Sequence, residues 1–233
     1  MEFKKKFIFF HIPKNGGTNI KFIINKLNNN NLTCFDNFEN LWNSIEQKNA
    51  IKKNIPSEYK IFSKYYNINE FECFIFIRNP YTRCISTFKW ILAKFEDYDK
   101  SKEVPERRRK LPNGKILDRN ISFNDFVELI PNILNSNIEE YNNLKWHLQP
   151  QYKQVYCENN KIIKNIFRLE NYQEEIMKIK DTLKINDNNE LFLQKKNSSN
   201  IENYQEYLTE SIKTKIYKIY EEDFKLFNYK SNL

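Results

Sequence analysis

The residues best equipped for chemistry in this chain lie in "HIPKNGGTN", positions 11–19. That segment holds Gly16 and Gly17, two of only three glycines, and His11, one of only two histidines. Lys14 stands before the glycine pair and Thr18 directly after it. Backbone N–H groups at the start of a helix have no intrahelical partner and sit at the positive end of the helix dipole, so they form a ready anion site. Glycine allows positive φ and close approach of the backbone to a phosphate. With Lys14 as counter-charge, Asn15, Gly16, Gly17, Thr18 and Asn19 form a candidate phosphate cradle. The order differs from the P-loop of NTPases, where the lysine follows the glycines and a hydroxyl residue beside it holds Mg²⁺. Here no hydroxyl follows the lysine directly. A plain glycine turn is the competing reading.

A second candidate lies in "FIFIRNPYTRCISTF", positions 74–88. Arg78 ends a strongly apolar run, at the strand end where open α/β sheets bind ligands. Asn79 and Pro80 suit the cap and the first position of a helix. Ser86 falls two turns into that helix. The forked donors of Arg78 and the hydroxyl of Ser86 could converge on one phosphate. Taken alone, the same residues read better as an ordinary helix cap and a surface arginine.

These groups need elements to carry them. "KFIFFHI" (6–12), "ECFIFIR" (72–78) and "KNIFRLE" (164–170) are short apolar runs of the kind that make buried parallel strands. Helical spacing follows each of them: from Thr18, through Cys84, Ile85, Phe88, Ile91, Leu92 and Phe95, and after residue 170. Residues 38–52 predict a further helix and 59–66 a strand. Residues 122–135 predict a helix capped by Ser122, and 204–227 a long amphipathic helix whose Tyr and Phe stripe packs the core. Residues 98–120, broken by Pro105, Pro112 and Gly114, predict a long basic loop. "KWHLQPQ", around His147, reads as a polar stretch between elements. Repeated strand–loop–helix units without a change of composition predict one α/β domain over residues 1–233, a central parallel sheet flanked by helices.

Composition bounds the function. Hydrophobic residues are 40% of the chain and aromatics 15%, enough for a packed core and against global disorder. The net charge of +8 concentrates in residues 1–26 and 100–119. Two basic clusters suit two anionic contacts, although a solvated basic face is the commoner meaning of such runs. Cys34, Cys73, Cys84 and Cys157 form no CxxC pair and no disulfide framework, which points to a reducing compartment. Two histidines and scattered cysteines predict no dedicated metal site. The apolar run at 7–13 contains a histidine and a proline and lacks a small-residue cleavage site, unlike a secretory signal. No stretch approaches the roughly 18 apolar residues of a membrane span. A cytoplasmic protein is the expectation.

Together the two motifs resemble those of the PAPS-dependent carbohydrate sulfotransferases, in particular the family 2 type that includes heparan and chondroitin sulfotransferase-like enzymes. "HIPKNGGT" resembles their 5′-phosphosulfate loop, usually written with Thr at the Asn15 position. "RNPYTRCISTF" resembles their 3′-phosphate motif, usually with Asp at the Thr82 position and Tyr at the Phe88 position. "HLQPQ" (147–151), "FRLENY" (167–172) and "YEEDFKLFNY" (220–229) resemble later family segments in family order. The resemblance implies a P-loop-NTPase-like sulfotransferase fold. It also implies transfer of the sulfuryl group of PAPS (3′-phosphoadenosine 5′-phosphosulfate) to a carbohydrate or glycolipid hydroxyl, with release of PAP and no metal.

On that resemblance Lys14 neutralises the bridging oxygen, Asn15 to Asn19 cradle the 5′-phosphate, and Arg78 and Ser86 hold the 3′-phosphate. His147 is the candidate base, since histidine titrates near neutral pH; a loop histidine without a catalytic role is the alternative. Lys196, or Lys195 beside it, in the hydroxyl-rich stretch "KKNSSN" (195–200), is a further candidate for the nucleotide, with a solvated loop as the alternative. Arg107, Arg108 and Arg109 are candidates for an anionic saccharide, on the acceptor side. His11 is carried with them, against the reading that it is a core residue shaping the loop. The sulfotransferase reading expects no specific nucleic-acid partner. Two other classes stay open: a P-loop kinase, against which the misplaced lysine argues, and a non-enzymatic basic module binding nucleic acid or polyanions.

Overall fold

The three apolar runs are strands of one sheet. The computed structural model describes residues 6–27, 32–34, 71–101, 120–137, 141–157, 160–161, 163–182 and 204–231. In chain order the first elements are β1 (Lys6–Phe10), α1 (Gly17–Leu27), β2 (Leu32–Cys34), β3 (Phe71–Ile77) and α2 (Pro80–Ser101). Next come α3 (Phe123–Asn135), α4 (Asn142–Leu148), α5 (Tyr152–Val155), β4 (Tyr156–Cys157), β5 (Asn160–Lys161) and β6 (Asn165–Arg168). After a 3₁₀ turn at Leu169–Asn171 the chain forms α6 (Tyr172–Thr182), a second 3₁₀ turn at Tyr204–Tyr207, α7 (Glu210–Ile219) and α8 (Glu221–Leu226). The elements group into two compact units, one from Met1–Arg78 with Gln151–Ser199, the other from Asn79–Pro150 with Asn200–Leu233.

The first unit is built on a four-stranded sheet of order β2–β1–β3–β6, parallel throughout. Its register sets Phe9 beside Phe74, Phe10 beside Ile75, and Phe76 beside Phe167. A parallel sheet needs cover on both faces, so its strands read as continuous apolar runs. Accordingly Ile8 to Phe10 and Cys73 to Ile77 are all buried. On one face Phe9, Phe74 and Phe76 meet Ile20 and Ile23 of α1 and Tyr172, Ile176 and Ile179 of α6. Those helix positions recur at three- and four-residue steps, the stripe that lets one side of a helix bury itself. The rings interlock at centroid distances of 5.4 Å for Phe9–Phe74 and 5.6 Å for Phe76–Phe167. Each buried Phe contributes about 1.5–3 kcal/mol, before any gain from ring geometry.

The second unit is helical. Phe126, Val127, Ile130 and Ile133 of α3 pack with Ile85 and Phe88 of α2 and with Ile212, Ile216, Tyr220 and Phe224 of α7 and α8. Helix α3 starts where the sequence places it: the Ser122 hydroxyl accepts from Asp125 N–H at 3.1 Å. The C-terminal stripe is core, as expected, but the single helix expected over 204–227 is broken. Thr209 caps α7 by accepting from Ile212 N–H, and Tyr220 leaves helical dihedrals at φ −116 and ψ 25 between α7 and α8. A threonine hydroxyl offers the backbone an alternative to helix continuation, and the apolar spacing on either side does not reveal it.

Two other boundaries differ. Residues 98–101, expected in the basic loop, finish α2, because no Gly or Pro interrupts the chain before Pro105 and the intervening polar residues tolerate a helix. His147 lies within α4 and not between elements. The helix and strand expected at 38–52 and 59–66 lie outside the described residues. Cys73 and Cys84 are buried free thiols, pushed up by burial to about 11 and about 12, hence poor nucleophiles. Replacing the cap with Ser122→Ala will lower stability by about 1 kcal/mol, measured as a reduced urea midpoint with unchanged slope.

Candidate functional site

The loop between β1 and α1 is a turn held in an uncommon conformation. Asn15 N–H donates to Ile12 O at 3.3 Å, with Pro13 and Lys14 between them. Lys14 has φ +69. Proline followed by a positive-φ residue is the arrangement of a type II turn, whose third position ordinarily falls to glycine. A lysine there costs roughly 1–3 kcal/mol of backbone strain unless its surroundings over-determine it. They do so in part through Arg78, whose Nη1 donates to Lys14 O at 3.1 Å.

Both glycines are demanded by neighbours. Gly16 has φ +79, and a Cβ there would meet Leu169 Cδ1 at 2.6 Å. A Cβ on Gly17 would fall on the His11 imidazole. His11, half-buried at the strand end, therefore shapes the loop by seating its ring on the first residue of α1. Gly16 O accepts from both Asn19 N–H at 3.0 Å and Ile20 N–H at 3.3 Å, which starts the helix in a tight turn. Asn19 thereby uses its N–H inside the helix. The leading donors that α1 cannot pair along its own axis are those of Gly17 and Thr18.

Burial and then the Arg78 guanidinium push the Lys14 ammonium down to about 8 from an ordinary lysine value of 10.5. Two cations held together favour any anion that lands between them, and such an anion raises the Lys14 pKa again. Asn15 is 1% exposed, and its amide faces inward: Nδ2 donates to Phe76 O at 2.8 Å and to Gln151 Oε1 at 2.7 Å. Its side-chain donors thus tie the loop to β3. Gln151 also accepts from Arg78 N–H at 2.9 Å and donates to Arg78 O at 2.7 Å. No local pattern marks Gln151 beforehand; only the likeness of "HLQPQ" to a family segment touches it.

In the second unit Asn79 caps α2 as expected, its Oδ1 accepting from Tyr81 N–H at 2.9 Å with Pro80 at the first helical position. Thr82 Oγ1 donates to Asn79 O at 3.2 Å and reinforces the same turn. Ser86 is buried in α2. His147 is buried too, stacked on Trp90 at 4.0 Å and 12° and met edge-on by Trp146 at 5.2 Å. Arg83, 2% exposed, donates to His147 O at 2.9 Å, while the Tyr220 hydroxyl donates to Leu148 O at 2.8 Å. Two consecutive carbonyls at the end of α4 are therefore satisfied by side chains from α2 and from the α7–α8 junction.

The structure thus brings Lys14, the glycine pair, His11 and Arg78 together in the first unit, and places Ser86 and His147 in the second. Arg107, Arg108, Arg109 and Lys196 lie outside the described residues. Among the described residues no cluster of His, Cys, Asp or Glu could hold a metal ion, and no helix is long and apolar enough to cross a membrane.

A parallel α/β sheet carries a cationic, glycine-paired loop between its first strand and helix and an arginine directly after the adjacent strand, the kind of setting in which α/β proteins take anions. The chain matches the sulfotransferase family over residues 1–230 and belongs to it, which makes it a transferase of sulfuryl groups. No curated protein and no solved structure matches it.

Two outcomes test this geometry. Reductive ¹³C-methylation followed by NMR titration will show the Lys14 signal moving with a midpoint near 8. Arg78→Gln will raise that midpoint, because it removes the neighbouring positive charge. Gly17→Ala will destabilise the fold by over 1 kcal/mol in thermal melts, and the His11→Ala change added to it will recover part of the loss by opening the space.

Proposed function

We propose that this protein moves the sulfuryl group of PAPS to a hydroxyl of a carbohydrate or glycoconjugate and releases PAP. The observation that carries the reading is Lys14, kept at positive φ beside a helix N-terminus with Arg78 bonded to its carbonyl. Family membership supplies the reaction; the cofactor and the acceptor class are the proposal's own. PAPS supplies a sulfuryl group on a 5′-phosphate that is a stable leaving group, and a 3′-phosphate that sets it apart from ATP.

The residues present fit such an anion. The N–H groups of Gly17 and Thr18 and the Lys14 ammonium suit the 5′ end. Lys14 is assigned to the bridging oxygen, where charge accumulates as the bond to sulfur breaks; positive charge already in place there lowers the barrier without reorganisation. Arg78 and Ser86 are assigned to the 3′-phosphate. His147 is assigned as the base that takes the acceptor's proton while the acceptor oxygen bonds to sulfur. Arg107, Arg108 and Arg109 are assigned to an anionic acceptor.

The kinase reading has no observation in its favour. Its lysine would follow the glycines and precede a Mg²⁺-binding hydroxyl.

Charge linkage gives a test with a definite sign. Above pH 8 the free protein's Lys14 loses its proton, and the bound anion restores it. PAP affinity will therefore fall as pH rises through about 8, with proton uptake on binding visible in calorimetry across buffers of different ionisation heat. PAP will raise the melting temperature more than ATP does; equal shifts would remove the 3′-phosphate from the reading. Lys14→Ala will abolish transfer from labelled PAPS while the protein stays folded. His147→Gln will cut kcat by at least about a hundredfold and remove the acid limb of the pH–rate profile, whereas near-normal turnover moves the base elsewhere.

A further inference from the structure

We propose that Gln151 is a positioning residue for the anion site, fixing the Lys14 loop and Arg78 in register through one buried amide. Four hydrogen bonds define the arrangement. Gln151 Oε1 accepts from Asn15 Nδ2 at 2.7 Å and from Arg78 N–H at 2.9 Å. Gln151 Nε2 donates to Arg78 O at 2.7 Å. The second Asn15 donor goes to Phe76 O at 2.8 Å, two residues back along β3.

The amide orientation follows from its partners. Oε1 faces two N–H donors, so a flipped amide would set its NH₂ against both of them and its oxygen against a carbonyl. Gln151 is fully buried and its bond to Asn15 forms away from water, where loss of a partner is most costly, while its two bonds to the Arg78 backbone are partly buried. Both lone pairs of one oxygen are used, one by the phosphate loop and one by the strand end. A single side chain, 136 residues from Asn15 and 73 from Arg78, thereby holds the Arg78 backbone and, through the Asn15 amide, the residue that follows Lys14. The guanidinium bond from Arg78 to Lys14 O then closes the ring.

Asn15 is the loop's half of this clasp. Its position in the motif was expected to face the nucleotide, yet both of its amide donors are engaged by the protein. The positive-φ turn at Lys14 is consequently anchored on both sides, by Arg78 at its own carbonyl and by Asn15 at the next residue. Gln151 touches neither phosphate nor sulfuryl in this scheme; it acts through the two groups that do.

The inference rests on the loop being the anion site proposed above, and the experiment separates the two. Wild type, Gln151→Met, Gln151→Ala, Asn15→Ala and the Asn15→Ala/Gln151→Ala double variant are titrated calorimetrically with PAP and with inorganic pyrophosphate. Melting curves without ligand identify the folded variants; methionine keeps the glutamine's size, and Asn15→Ala tests the clasp from its other end. Each single variant is expected to weaken both ligands by about tenfold or more. The double variant is expected to bind no more weakly than the worse single one, because both changes open the same clasp. The methyl-labelled Lys14 signal in Gln151→Met is expected to shift toward the ordinary lysine range, a change that a merely structural role would not produce. Folded variants that bind pyrophosphate as wild type does overturn the proposal. Wild type that binds PAP no more tightly than pyrophosphate sinks the PAPS reading, while the pyrophosphate comparison still decides the clasp. Wild type that binds neither sinks both.

Discussion

The arrangement around the Lys14 loop depends on Arg78, because three of its groups are committed at once. Its N–H and carbonyl are held by Gln151, and its guanidinium by the carbonyl of Lys14. Each bond has a different consequence. The first two set where β3 ends, and the third sets how the Lys14 loop leaves β1. Because β1 and β3 are direct neighbours in register, the loop and the arginine start from adjacent strand ends. The sheet brings them near; the hydrogen bonds decide their distance.

That arrangement is costly, and the surrounding core offsets the cost. Lys14 occupies backbone space that favours glycine, and its ammonium lies half-buried near another cation. Strain and like-charge crowding persist only where neighbouring structure over-determines them. Here the neighbours are a sheet buried along its whole central length, an imidazole seated on Gly17 and a leucine against Gly16. The crowding of two positive charges would be relieved by an anion, whereas the backbone strain at Lys14 would not. Stability and affinity are thus linked through one lysine.

In the helical unit, a comparable logic fixes the end of α4. Arg83 and Tyr220 each give a hydrogen bond to consecutive carbonyls, and Trp90 lies flat against His147. Burying an arginine is tolerable only when its donors are used. Arg83 is therefore an internal brace of α4. Its charge leaves no trace in the sequence of being buried, since the helix it sits on is apolar at Cys84, Ile85 and Phe88 regardless.

Strands β1, β3 and β6, the helix starts at Asn79–Pro80 and Ser122, and the strand–loop–helix order were legible because their causes are local, whereas the three-residue β2 carries too short a run to stand out. Apolar runs, a cap and a proline act within a few residues of themselves. The break at Tyr220, the reach of α2 to Ser101 and the helical setting of His147 were not, since competing local preferences there are nearly balanced. The glycines were legible as special but not for their reason: packing against His11 and Leu169 requires them, whether or not an anion is bound. By itself the sequence determined a parallel α/β sheet with a lysine, two glycines and an arginine at its strand ends. Only the tertiary structure decided that Asn15 turns inward, that Gln151 receives it, and that Lys14 shares its surroundings with Arg78. Those outcomes depend on hydrogen bonds between residues 61 to 136 positions apart, and no local periodicity encodes a bond of that span.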